Sequence, residues 1–131
     1  MQSLRPKILV VGDDPADLAL LRRQLGADFD VTAASNPKEA IRMVVSGQRF
    51  EVVVSDLRMS GMDGVALLYL IRQSAPATVR MLLTCCADLD ATTAAINQGN
   101  VFRFLLKPCP PEVLIKEINA CVEEYRRTAA L

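Results

Sequence analysis

A chain of 131 residues is long enough for one domain with a single core and too short for two ordinary ones. Hydrophobic residues make up 51% of it, which excludes a disordered polymer, and 15 basic against 15 acidic side chains exclude the bulk positive charge of a nucleic-acid or anionic-membrane binder. The longest apolar run, Val65 to Ile71, is far short of a bilayer span, and the leader Met1-Gln2-Ser3-Leu4-Arg5-Pro6 lacks the apolar centre of a signal peptide, so a soluble cytoplasmic protein is expected.

Strands and helices are predicted to alternate. Lys7 to Val11 is a strand, and Gly12-Asp13-Asp14-Pro15 turns it into a helix with Asp14 as N-cap and Pro15 as first helical residue. Leu18, Leu21 and Leu25 share one face of that helix, which Gly26 ends. Phe29 to Ala33 alternates in polarity and reads as an edge strand. Asn36-Pro37-Lys38-Glu39 then has the N-cap, proline and glutamate of a helix start, and this helix runs through Ala40, Ile41, Val44 and Val45 to Gly47. Val52-Val53-Val54 is β-branched throughout, as suits a strand buried on both faces, and Asp56 ends it. A loop with Gly61 and Gly64 leads to a third helix, about Gly64 to Ser74. Val79 to Thr84 is the fourth strand, Leu89 to Gln98 a fourth helix capped by Asp88 or Asp90 and closed by Gly99, and Val101 to Leu106 the fifth strand. From Glu112 a last helix carries Leu114, Ile118, Cys121, Val122 and Tyr125 on one face. Five such units with short loops specify a doubly wound parallel α/β sheet, because right-handed crossovers place helices on both faces. The four cysteines show no C-x-x-C and the chain has no histidine, so reduced thiols are expected rather than a zinc site.

The polar residues that matter sit at strand ends. Asp13 and Asp14 follow the first strand, Asp56 the third, Thr84 ends the fourth and Lys107 follows the fifth. In a parallel sheet these positions converge on one rim, where open α/β sheets bind ligands. Three carboxylates together repel unless a cation joins them, and an all-oxygen site suits Mg²⁺. A hydroxyl and an ammonium beside that ion are what a phosphoryl group needs. The pattern points to phosphoryl transfer onto Asp56 as nucleophile.

On Asp13-Asp14, Asp56 within D-L-R-M-S-G-M-D-G, Thr84, Phe104 and Lys107-Pro108, the chain resembles the receiver domains of two-component response regulators over residues 7 to about 125, as a single receiver domain spanning 1–131. The resemblance implies a flavodoxin-like (βα)5 sheet in the order 2-1-3-4-5. It implies that Asp56 accepts a phosphoryl group from a cognate histidine kinase, with self-phosphotransfer and autodephosphorylation as the only chemistry rather than turnover as an enzyme. Asp14, Asp56 and the carbonyl of Arg58 would contact Mg²⁺ directly, and Asp13 mainly through water. Thr84 and Lys107 would hold the phosphoryl oxygens, Thr84 and Phe104 would form the switch, and the Lys107-Pro108 bond would be cis.

The chain departs from the family pattern in places. Ser60 stands where proline is usual, implying a less rigid loop, and Cys85 stands where alanine or glycine is usual. With Cys86 and Arg58, at positions that influence autodephosphorylation, this implies an altered phosphoryl lifetime. Ala66, Tyr69 and Leu70 exceed what the core face of the third helix needs and suggest a partner or self-association surface, including a homodimer. An output domain, of HD-type phosphohydrolase or transcription-activator kind, or a separate downstream protein, would read the switch; no direct nucleic-acid or membrane contact is expected of this domain. The alternative is a pseudo-receiver, a constitutive protein-interaction module, whose usual sign is a missing aspartate or lysine.

Overall fold

The computed structural model describes residues 5–84, 93, 97 and 101–129. Five parallel strands form one sheet in the order β2-β1-β3-β4-β5, with β1 Lys7–Val11, β2 Asp30–Ala34, β3 Val52–Ser55, β4 Val79–Thr84 and β5 Arg103–Leu106. The helices are α1 Pro15–Leu25, α2 Pro37–Val45, α3 Gly64–Ser74 and α4 Pro111–Ala129. This is the flavodoxin-like doubly wound fold expected from the sequence. The helix expected over Leu89–Gln98, and Cys85 and Cys86, lie outside the described residues.

The alternation of side chains along each strand divides the core in two. Ile8, Val10, Val52, Val54, Met81 and Leu83 point to one face, where Leu18 and Leu25 of α1 and Leu114, Ile118, Cys121 and Val122 of α4 cover them. Leu9, Val11, Val53 and Leu82 point to the other, under Ala40 and Val44 of α2 and Leu67, Leu68 and Ile71 of α3. The three consecutive valines of β3 are therefore each needed, and all are buried. Cys121 lies wholly inside, and burial pushes its thiol up to about 12, so it behaves as a small hydrophobe.

The local signals act as read, with small shifts. Asp14 caps α1, its carboxylate accepting from the Ala16 N–H at 3.0 Å, and Asn36 caps α2 by accepting from the Glu39 N–H at 2.9 Å. β2 runs from Asp30 to Ala34, one residue later than expected, because Phe29 turns into the α1 side of the core and its N–H bonds back to Leu25. β5 begins at Arg103 rather than Val101, and α4 starts at Pro111, whose fixed φ and missing N–H suit a first turn. On α3, Ala66, Tyr69 and Leu70 are exposed as expected.

One glycine sets how closely α3 meets the sheet. Its N–H bonds to the Leu57 carbonyl at 2.7 Å, and a Cβ on Gly64 would stand 2.2 Å from the Asp56 carbonyl oxygen. Gly64→Ala is expected to lower stability by about 1–3 kcal/mol through overpacking, against the small gain that alanine brings an ordinary helix. Urea denaturation midpoints of the two proteins measure the difference.

Candidate functional site

The parallel register brings the strand ends level. Val11 pairs with Ser55, and Thr84 pairs with Leu106, so the residues that follow Val11, Ser55 and Leu106 emerge on one rim. Asp56 is anchored there by its own N–H, which bonds to the Val11 carbonyl at 3.1 Å. Its carboxylate is tied at both oxygens: Oδ1 accepts from the Leu57 N–H at 2.8 Å, and Oδ2 accepts from the Lys107 ammonium at 3.1 Å. Lys107 is positioned from the other side of β4, its N–H donating to the Thr84 carbonyl at 2.8 Å, and the Lys107-Pro108 peptide is cis.

Sequence reasoning missed a third member of this group. The Lys107 ammonium also donates to Oδ2 of Asp17, at 3.1 Å, so it bridges two carboxylates. Burial alone would depress the lysine, but the hydrogen bonds to Asp17 and Asp56, with their charges, outweigh it and raise its pKa above the ordinary value. The ammonium therefore stays charged at neutral pH. A signal for Asp17 exists: it stands three residues after the cap Asp14, in the first turn of the helix that opens on this rim.

The acidic pair divides. Asp14 lines a cleft with Gly12, Asp17, Ser55, Asp56 and Lys107. Asp13 turns to the β3–α3 loop, where its Oδ2 accepts from the Ser60 N–H at 2.9 Å and from the Ser60 hydroxyl at 3.2 Å. These two bonds, the backbone one first, hold the Asp13 carboxyl below the usual carboxylate range. Ser60 supplies here a backbone donor that a proline would lack. Asp63 in the same loop caps α3, accepting from the Ala66 N–H at 2.9 Å.

The donors suit a hard divalent ion in chemistry. Asp17 and Asp56 hold the Lys107 ammonium, Asp14 lines the same cleft, and no soft ligand stands among them. Among the described residues, no three acidic or cysteine side chains stand close enough to hold an ion as a group. The arrangement thus offers Asp14 and Asp56 on one cleft, with Asp13 engaged by Ser60. Arg58 is exposed on the loop after Asp56. Thr84 is fully buried at the end of β4 and does not line that cleft. Phe104 pairs with Leu82, two residues before Thr84, and packs partly buried against the cluster under α2 and α3.

Comparison with known proteins agrees with this fold. The response regulator receiver domain family matches residues 8–119. The chain is 32% identical over 123 residues to the hydrogenase transcriptional regulatory protein HoxA of Cupriavidus necator, covering 94% of this chain and 25% of that protein. It thus spans about a quarter of the length of that curated relative. Among solved structures, it superposes with a TM-score of 0.90 on one described as adenylate cyclase from Rhodopirellula baltica, at 36% identity over 97% of this chain and 94% of that one. A second, the signal receiver domain of an HD domain-containing protein from Pseudomonas fluorescens, gives 0.89 at 30% identity, over 94% and 98% of the two chains.

Replacing Ser60 separates its two contributions to Asp13. Ser60→Ala removes the hydroxyl and keeps the N–H, whereas Ser60→Pro removes both. The Asp13 carboxyl should titrate at a higher pH in each variant, and further up in Ser60→Pro; carboxyl-carbon NMR titration reads both shifts.

Proposed function

The chain belongs to the response regulator receiver domain family, and from that premise we propose that it is a signalling switch set by phosphorylation of Asp56, with Mg²⁺ required. The observation that carries the reading is the Lys107 ammonium held 3.1 Å from Asp56 Oδ2 at the end of the central strand, a nucleophile and a phosphate-binding cation in contact. The donor is a histidine kinase's phosphohistidine. An Asp56 carboxylate oxygen attacks phosphorus, a phosphorus–oxygen bond forms, and the phosphorus–nitrogen bond breaks with its electron pair leaving on the imidazole nitrogen. Lys107 follows the charge onto a phosphoryl oxygen, and Thr84 donates its hydroxyl to another.

Asp14, Asp56 and the Arg58 carbonyl would hold the metal, with Asp13 acting through water once it leaves Ser60. When bound, Mg²⁺ offsets the negative charge that gathers on the phosphoryl oxygens. In this reading the protein acts only as phosphoryl acceptor and in its own dephosphorylation, with no further substrate. The signal is a shift between two packings of Thr84 and Phe104, read on the surface of the last strand and last helix. Similarity to transcriptional regulators and to an HD-domain protein supports an output domain carried on a longer chain, and the cytoplasm is the compartment that gives access to such a kinase and output.

Incubation with acetyl phosphate tests the assignment. The wild-type protein should gain the mass of one phosphoryl group in the presence of Mg²⁺, lose the gain on adding chelator beforehand, and Asp56→Asn should gain nothing. Lys107→Ala should slow or weaken the modification at least tenfold, as expected for losing a charge-assisted contact of about 1.5–3 kcal/mol. Absence of any Asp56-dependent modification would favour a constitutive interaction module instead.

A further inference from the structure

Asp17 has no part in the roles assigned above, yet it touches the group on which they turn. Its Oδ2 lies 3.1 Å from the Lys107 ammonium, the same distance as Asp56 Oδ2. The two carboxylate oxygens can therefore be no farther apart than those two contacts laid end to end, and both side chains line one cleft. An ammonium has three donors, and two of them are committed here to opposing carboxylates.

We propose that Asp17 is a positioning residue of the phosphoryl site, which retains Lys107 and so weakens the hold of the site on a phosphoryl group at Asp56. The inference rests on Asp56 being the acceptor, as proposed above. Before phosphorylation one ammonium already serves two carboxylates, so the trio carries a net negative charge. A phosphoryl group on Asp56 adds negative charge to the cleft that Asp17 also lines. Asp17 then acts twice in the same direction: it repels the new charge, and it competes for the donor that the phosphoryl oxygens require. The Asp17 side chain is 48% exposed, so water screens it and the effect is graded rather than decisive. The site accordingly holds a phosphoryl group less tightly than its core residues alone would.

Beryllofluoride, a phosphoryl mimic, provides the test, titrated in Mg²⁺ and followed by fluorine NMR together with the Leu57 amide signal. Asp17→Asn, which keeps the shape and removes the charge, should bind about threefold more tightly than wild type, in line with an exposed charge pair. Asp17→Ala should move the same way, so that the conclusion does not hang on the folding of one variant. Asp17→Glu, which keeps the charge, should stay near wild type, and the advantage of Asp17→Asn should shrink as salt is raised. A helix-capping or packing role alone would not produce that salt dependence. Equal or weaker binding by folded Asp17→Asn and Asp17→Ala, with wild type still binding at Asp56, overturns the role of Asp17 alone. Failure of wild type to bind beryllofluoride in an Asp56-dependent way overturns the acceptor assignment and this inference with it.

Discussion

The contact between Lys107 and Asp56 is the constraint around which the rim of this sheet is arranged. Fifty-one residues separate the two in sequence, and β4 stands between their strands. The lysine can cross that strand because its own N–H is fixed to the Thr84 carbonyl, which sets the start of its side chain at the level of the rim. Its half-buried position opposes the charge it carries, and the two carboxylates restore that charge. A buried or half-buried charge is tolerated only when its partners are well placed, so the contact demands accurate register across β3, β4 and β5. Packing fixes that register, since Val52, Val54, Met81 and Leu83 fill one face of the core and Val53 and Leu82 the other, and a slip by one residue would exchange them.

The loop between β3 and α3 meets a second demand, to hold its shape beside a cluster of like charges. It is pinned at both ends by backbone geometry and in the middle by a side chain. At one end the Asp56 carboxylate accepts from the Leu57 N–H; at the other, Gly64 lies against the Asp56 carbonyl and Asp63 caps the helix. Between them Ser60 holds Asp13. The Asp13 contact draws one carboxylate away from the others, which lowers the mutual repulsion of the acidic rim without a cation. Any ion that recruits Asp13 must therefore compete with two hydrogen bonds, one of them to a backbone donor that no side-chain change except proline removes.

Much of this could be read from residue order, and the exceptions have physical reasons. The central strands β1, β3 and β4 were legible because burial on both faces favours largely apolar runs, and Asp14 and Asn36 because a cap must sit beside the first turn it satisfies. The convergence of Asp56 and Lys107 followed from parallel topology alone, as each stands just past a strand's C-terminal end. Asp17 was not legible from the strand ends, since its approach depends on the direction in which α1 leaves the rim, and helix direction is set by packing of Leu18 and Leu25 rather than by the polar residues. The contact of Ser60 with Asp13 was hidden for a related reason. Read as a missing proline, the residue implied looseness; in three dimensions its N–H faces a carboxylate 47 residues away.

Thr84 and Phe104 carry the argument from the rim into the body of the domain. Thr84 falls on the same face of the sheet as Leu82, whose partner across the strands is Phe104, so the two lie on one side of adjacent strands. Every buried side-chain polar atom among the described residues has a hydrogen-bond partner, and the enclosed Thr84 hydroxyl is therefore already satisfied. Turning it toward a phosphoryl oxygen exchanges one hydrogen bond for a charge-assisted one, a modest net gain rather than the relief of an orphaned group. In an interior packed like a crystal, such a movement cannot leave the vacated volume empty without losing contacts. Phe104 is only partly buried and stands on the same face, so it has apolar surface to gain by moving inward. In the proposed switch, a small electrostatic event at Asp56 would thus be coupled to a packing change by the requirement that the core stay filled.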